Sequence, residues 1–78
     1  MNREDAIEIA KAVMKKEGWP IYGKIEARLR RRNKILARIL GPRLEWEIKT
    51  NVESRGCNAR IFIDDETSAV VAKYFAPR

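Results

Sequence analysis

The 78 residues contain no histidine and a single cysteine, Cys57. Without histidine there is no Ser-His or Cys-His nucleophile pair and no His-containing metal site. One cysteine excludes an internal disulfide and is in keeping with a reducing, cytoplasmic setting, although a domain cut from an exported protein has the same features. Long apolar runs are missing too. The longest, Ala69-Val70-Val71-Ala72, is four residues, against the ~20 that cross a bilayer. The charged start Met1-Asn2-Arg3-Glu4-Asp5 is not followed by the apolar core of a secretory signal. The four glycines form no phosphate-cradling loop. A chain of this length buries only about 60% of its unfolded surface, leaving room for one core but hardly for a deep cleft.

What is present suits a folded domain: 45% of residues are apolar and 36% charged. Residues 3–17 predict a helix. Ala6, Ile9, Ala10, Val13 and Met14 recur at three- and four-residue spacing, widened by Ile7, while Glu8, Lys11, Lys15 and Lys16 fall off the stripe. Asn2 is placed to cap its start, Gly18 to end it in a left-handed turn, and Pro20 to prevent continuation. From Leu44 the period becomes two. Leu44, Trp46 and Ile48 alternate with Glu45, Glu47 and Lys49, the pattern of a strand over 44–50 with one wet side. Asn51 to Asn58 is turn-prone and leads to a strand at 59–64. Asp64-Asp65-Glu66-Thr67-Ser68 then turns a hairpin into a last strand at 69–75.

Residues 21–43 carry two patterns. Ile21, Ile25, Ala27 and Leu29 alternate with Lys24, Glu26, Arg28 and Arg30, whereas Ile25, Leu29, Leu36 and Leu40 fit a helical stripe. We read strands at 23–31 and 35–40, joined through Arg32-Asn33-Lys34, with Ile35, Ala37 and Ile39 facing inward; a second helix is the alternative. The expected fold is α+β, one N-terminal helix packed on a four- or five-stranded antiparallel sheet. Its expected core is Ile9, Ala10, Val13, Leu44, Trp46, Ile48, Ile61, Ile63 and one face of 69–75.

Charge is the sharpest feature. Of the chain's +6, residues 24–43 hold Lys24, Arg28, Arg30, Arg31, Arg32, Lys34, Arg38 and Arg43 against Glu26 alone, a net of +7, so all other residues sum to −1. A localised patch builds a field that a scattered one does not, and arginine suits bidentate contact with carboxylate or phosphate. The candidate contact residues are Arg28, Arg30, Arg31, Arg32, Lys34, Arg38 and Arg43. Phe62 joins them because it is out of phase with Ile61 and Ile63. The expected partner is an acidic protein surface, with nucleic acid as the alternative; a purely solvated face is the plain competing reading. Pairing of exposed strand edges leaves a homodimer open.

Other reactive groups are weaker. Asp64-Asp65-Glu66 lacks the further oxygen ligands of a calcium loop and reads as a hydrophilic turn. Cys57 lies near Arg55 and Arg60 but has no base. Ser54 and Ser68 fall in turns. No cofactor or metal is expected, and no enzymatic activity.

Trp46-Glu47-Ile48-Lys49-Thr50-Asn51 followed by Arg60-Ile61-Phe62-Ile63-Asp64-Asp65-Glu66-Thr67 resembles PepSY-like and cystatin-type small domains. Those pair an N-terminal helix with a curled antiparallel sheet, and their last hairpin turns through an Asp-x-x-Thr-Gly type loop; Ser68 stands at the glycine position here. Gly56-Cys57-Asn58 before the strand is also similar to the glycine-rich loop of small immunity-protein domains. The likeness covers about 30 residues plus the helix. It implies a non-catalytic binding or inhibitory module and carries over no active-site residue.

Overall fold

Asn2 caps the first helix as its position predicts, its Oδ1 accepting from the Asp5 amide at 2.8 Å. Helix α1 runs Arg3–Glu17, with Glu4 and Asp5 in its first turn and Lys15 and Lys16 in its last, the arrangement that complements the helix dipole. Gly18 ends it at φ 74°, and the Trp19 amide reaches back to the Met14 carbonyl at 2.9 Å. That is the six-to-one hydrogen bond of a Schellman cap. The computed structural model describes residues 1–21, 23–31, 34–41, 44–52 and 56–76.

Four strands follow: β1 Glu26–Arg31, β2 Leu44–Lys49, β3 Asn58–Asp64 and β4 Val70–Ala76, with a short helix α2, Lys34–Leu40, between β1 and β2. The sheet is an antiparallel meander in the order β1-β2-β3-β4. The fold is therefore α+β as expected, and among the described residues the sheet has four strands, the smaller of the two expected counts. The body of α1 lies over β1 and β2. At its C-terminal end Glu17 meets Lys73 of β4 at 2.9 Å, and Trp19 stacks on Phe75 with ring centroids 5.0 Å apart.

The core fills the space between α1 and one sheet face: Ala6, Ala10, Met14, Ile48, Ala59, Ile61 and Ile63. Ile9 and Val13, expected inside, are only partly buried, because the innermost stripe of α1 is Ala6, Ala10 and Met14. Leu44 belongs to the correct sheet face but is exposed, at the end of its strand and opposite Arg31. Trp46 and Phe75 pack on the core as expected, and the Trp46 indole N–H donates to Asp65 Oδ1 at 2.7 Å. The β3–β4 hairpin closes where the acidic turn predicts. Ser68 takes the left-handed conformation, φ 65°, at the position where glycine is the easier residue.

The expected strand at 35–40 is instead α2, and Ile35 and Ile39 face solvent rather than the core. The register gives the reason. β1 pairs directly with β2 from Glu26↔Lys49 to Arg31↔Leu44, so the place between them that a strand at 35–40 would fill in a meander is closed. A helix satisfies its backbone hydrogen bonds locally, and Lys, Leu, Ala and Arg favour it. The first strand also begins at Glu26 rather than residue 23: Gly23 has φ 73°, and Lys24 meets the β2–β3 connection by accepting the Val52 amide at 3.1 Å.

Candidate docking surface

Directly opposed residues of antiparallel strands share a face, so the registers place three rows on the side away from α1. Glu26, Lys49, Arg60 and Tyr74 form one row, and Arg28, Glu47, Phe62 and Ala72 the next. Arg30, Glu45 and Asp64 form the third. Four cations and four carboxylates share this face, and two of the cations, Arg30 and Arg60, pair with Glu47. The side expected to be wet is an ionic lattice with no net charge, and its central members are buried.

Glu47 is the hub. It is only 3% exposed, and it accepts from Arg60 Nη2 at 2.8 Å and from Arg30 Nη1 at 3.4 Å through its two oxygens. Burial pushes its carboxyl up. The Arg60 hydrogen bond and the charges of Lys49, Arg60 and Arg30 outweigh that and hold it below the ordinary carboxylate value. Phe62, expected to be exposed, is 8% exposed. The Arg30 and Arg60 guanidinium carbons lie 5.8 and 5.7 Å from its ring centroid, and Tyr74 meets it edge-on at 6.0 Å. Long arginine side chains thus roof an aromatic ring that phase alone assigns to solvent. Beside this, Glu45 opposes Asp64, whose Oδ1 accepts the Glu66 and Thr67 amides at 2.8 and 3.0 Å.

The predicted contact residues therefore separate. Arg28 and Arg30 stand in the lattice, and Arg30 is engaged there by Glu47 and Phe62. Arg31 is on the opposite face beside Leu44, at the end of β1 where the chain enters α2. Lys34 and Arg38 are exposed on α2. Arg32 and Arg43 lie outside the described residues, as do Ser54 and Arg55. What the periodicity missed is Ile35 and Ile39, which are 73% and 74% exposed and one turn apart on α2. The signal was an isoleucine pair at i, i+4 set among cations, read instead as the inward side of a strand.

At the other end of the sheet a depression of about 340 Å³ is lined by Lys49, Thr50, Val52, Asn58, Ala59 and Arg60. Asn51, fully buried at its edge, donates through Nδ2 to the Cys57 and Pro20 carbonyls at 2.6 and 3.0 Å. Among the described residues no cluster of three acidic or cysteine side chains is placed to hold a metal ion. Nor is any helix among them long and apolar enough to cross a membrane.

No family model, curated protein or solved structure matches the chain. The PepSY-like and cystatin-type likeness rests on its motif residues alone.

Proposed function

We propose that the protein is a non-enzymatic binding module that docks an acidic protein surface on the corner formed by the end of β1 and α2. The observation that carries this reading is the exposure of Ile35 and Ile39 beside Arg31, Lys34 and Arg38. Exposed isoleucines gain about 25 cal/mol per Å² when covered, and the cations select a carboxylate-bearing rim. A phosphate backbone rewards the cations but not the isoleucines, since its affinity is mainly electrostatic. The neutral lattice supports the same division of labour: it takes Arg30 out of the patch and leaves the charge surplus at the α2 corner.

The test compares three forms of the full chain: unchanged, Ile35→Ser/Ile39→Ser, and Arg31→Glu/Lys34→Glu/Arg38→Glu. Each is used to capture partners and is titrated with mixed oligonucleotides at physiological salt. The expected result is one stoichiometric acidic protein that both variants lose. Oligonucleotide binding abolished by the charge variant but untouched by the serine variant would make this a nucleic-acid module instead.

A further inference from the structure

Among the described residues two strand edges of the meander, β1 and β4, have no neighbouring strand, and they differ in chemistry. β1, Glu26-Ala27-Arg28-Leu29-Arg30-Arg31, is charged at four of six positions. Charge of that kind keeps an edge from pairing with another sheet. β4, Val70-Val71-Ala72-Lys73-Tyr74-Phe75-Ala76, has one charged residue, and the Lys73 ammonium is held on the α1 side by Glu17 at 2.9 Å. The strand contains neither proline nor glycine. Its register shift lies at Phe62/Ile63, near the hairpin end, so Ala72–Ala76 runs in unbroken register with Phe62–Asn58. Among the described residues no strand pairs with the outer side of β4. Tyr74, at the middle of the regular stretch, is 58% exposed.

We propose that β4 is a self-association edge, pairing antiparallel with β4 of a second copy about a two-fold axis at Tyr74 to make one continuous eight-stranded sheet. For a second copy, the charge layout favours this edge over β1. The described cations outside the lattice, Arg31, Lys34 and Arg38, lie in the segment from the end of β1 through α2, at the far side of the sheet. Pairing through β1 would bring two such segments together. Pairing through β4 holds the two β1 strands seven inter-strand spacings apart, about 34 Å, several times the ~8 Å screening length of physiological salt.

The register follows from the side chains. An axis at Lys73 would oppose two ammonium groups. An axis at Tyr74 sets Lys73 against Phe75 of the second copy and Ala72 against its Ala76, leaving room for the two tyrosines on the lattice side. The core also gives association something to add, since three of its seven buried residues are alanine and cores in chains this short rarely supply more than about 3–5 kcal/mol. An isologous edge of this kind closes on itself and does not propagate into a filament.

Sedimentation of the full chain across a dilution series tests the pairing. The expected mass is twice 9.1 kDa, reverting to the monomer on dilution, and Tyr74→Lys is expected to halve it with an unchanged circular dichroism spectrum. Should Tyr74→Lys fail to fold, Tyr74→Cys in a Cys57→Ser background decides by reaction with a short bismaleimide. A covalent dimer forms at Tyr74→Cys and not at Arg28→Cys on the β1 edge. A mass of one chain at every concentration overturns the proposal. So does a dimer that survives Tyr74→Lys and dissociates with Ile35→Ser/Ile39→Ser, which would make the α2 corner the self-interface. Neither result depends on whether the α2 corner binds another protein.

Discussion

Asn51 is fully buried at φ 53°, in the left-handed region that asparagine tolerates better than most residues. Its amide ties the loop after α1, through Pro20, to the start of β3, through Cys57, and Asn58 Nδ2 returns a 2.6 Å bond to the Asn51 carbonyl. Asn51→Ala removes two donors from part-buried carbonyls, so a loss of about 1–3 kcal/mol in denaturant unfolding is expected. Glu47 makes a different prediction, one that depends on pH. Its carboxyl is held below the ordinary value of 4.5, so the folded chain takes up that proton less readily than the unfolded chain. The stabilisation is complete above the unfolded value and is lost as pH falls through the lower folded one. Glu47→Gln is expected to cost about 1–2 kcal/mol at neutral pH, moderated because its arginine partners are partly solvated. The gap between the two proteins should close in acid. A gap that stays constant from neutral to acid pH would remove Glu47 as the charged hub.

At the scale of elements, α1 and the β3–β4 hairpin were legible because their signals are local: a cap, a stripe and a turn at fixed offsets. Residues 34–40 were not, since alternation and helical spacing coexist there and only the direct β1–β2 pairing decides between them. The lattice face was misread for a related reason. Alternation shows which residues share a side of β2, but the burial of Glu47 depends on arginines brought in from β1 and β3. The +7 segment was visible in the sequence; its division into a neutralised lattice and a free corner required the register. The short helix also carries a local electrostatic conflict. Lys34 stands at its N-terminal end, where a cation opposes the dipole, and one turn before the like-charged Arg38, with no acidic residue in the first turn. Lys34→Glu relieves both conflicts and creates an i, i+4 pair with Arg38 in the favourable orientation. A gain of about 0.5–1 kcal/mol in thermal or denaturant stability is expected, together with weaker binding of the acidic partner. Destabilisation by this variant would show that Lys34 is held by the fold rather than by function.

For the molecule as a whole, two populations of charge respond oppositely to salt. The lattice around Glu47 is attractive and its carboxylate centre is buried, so ions screen it less than they screen a fully exposed cluster, even though Arg30 and Arg60 are partly solvated. Arg31, Lys34 and Arg38 are exposed, repel one another, and belong to a chain of net +6, so screening relieves them. Raising sodium chloride from low to physiological concentration is therefore expected to raise the Tm, by about 2–4 °C if roughly 0.5 kcal/mol of repulsion is relieved. Over the same range binding of the acidic partner should weaken, because that contact draws on the same exposed cations. The serine variant at Ile35 and Ile39 separates the two effects. Its charges are unchanged, so its Tm should rise with salt as in the unaltered chain, while its partner binding is already lost at low salt. A Tm that falls with salt would mean that the lattice, not the α2 corner, dominates the electrostatics of the fold.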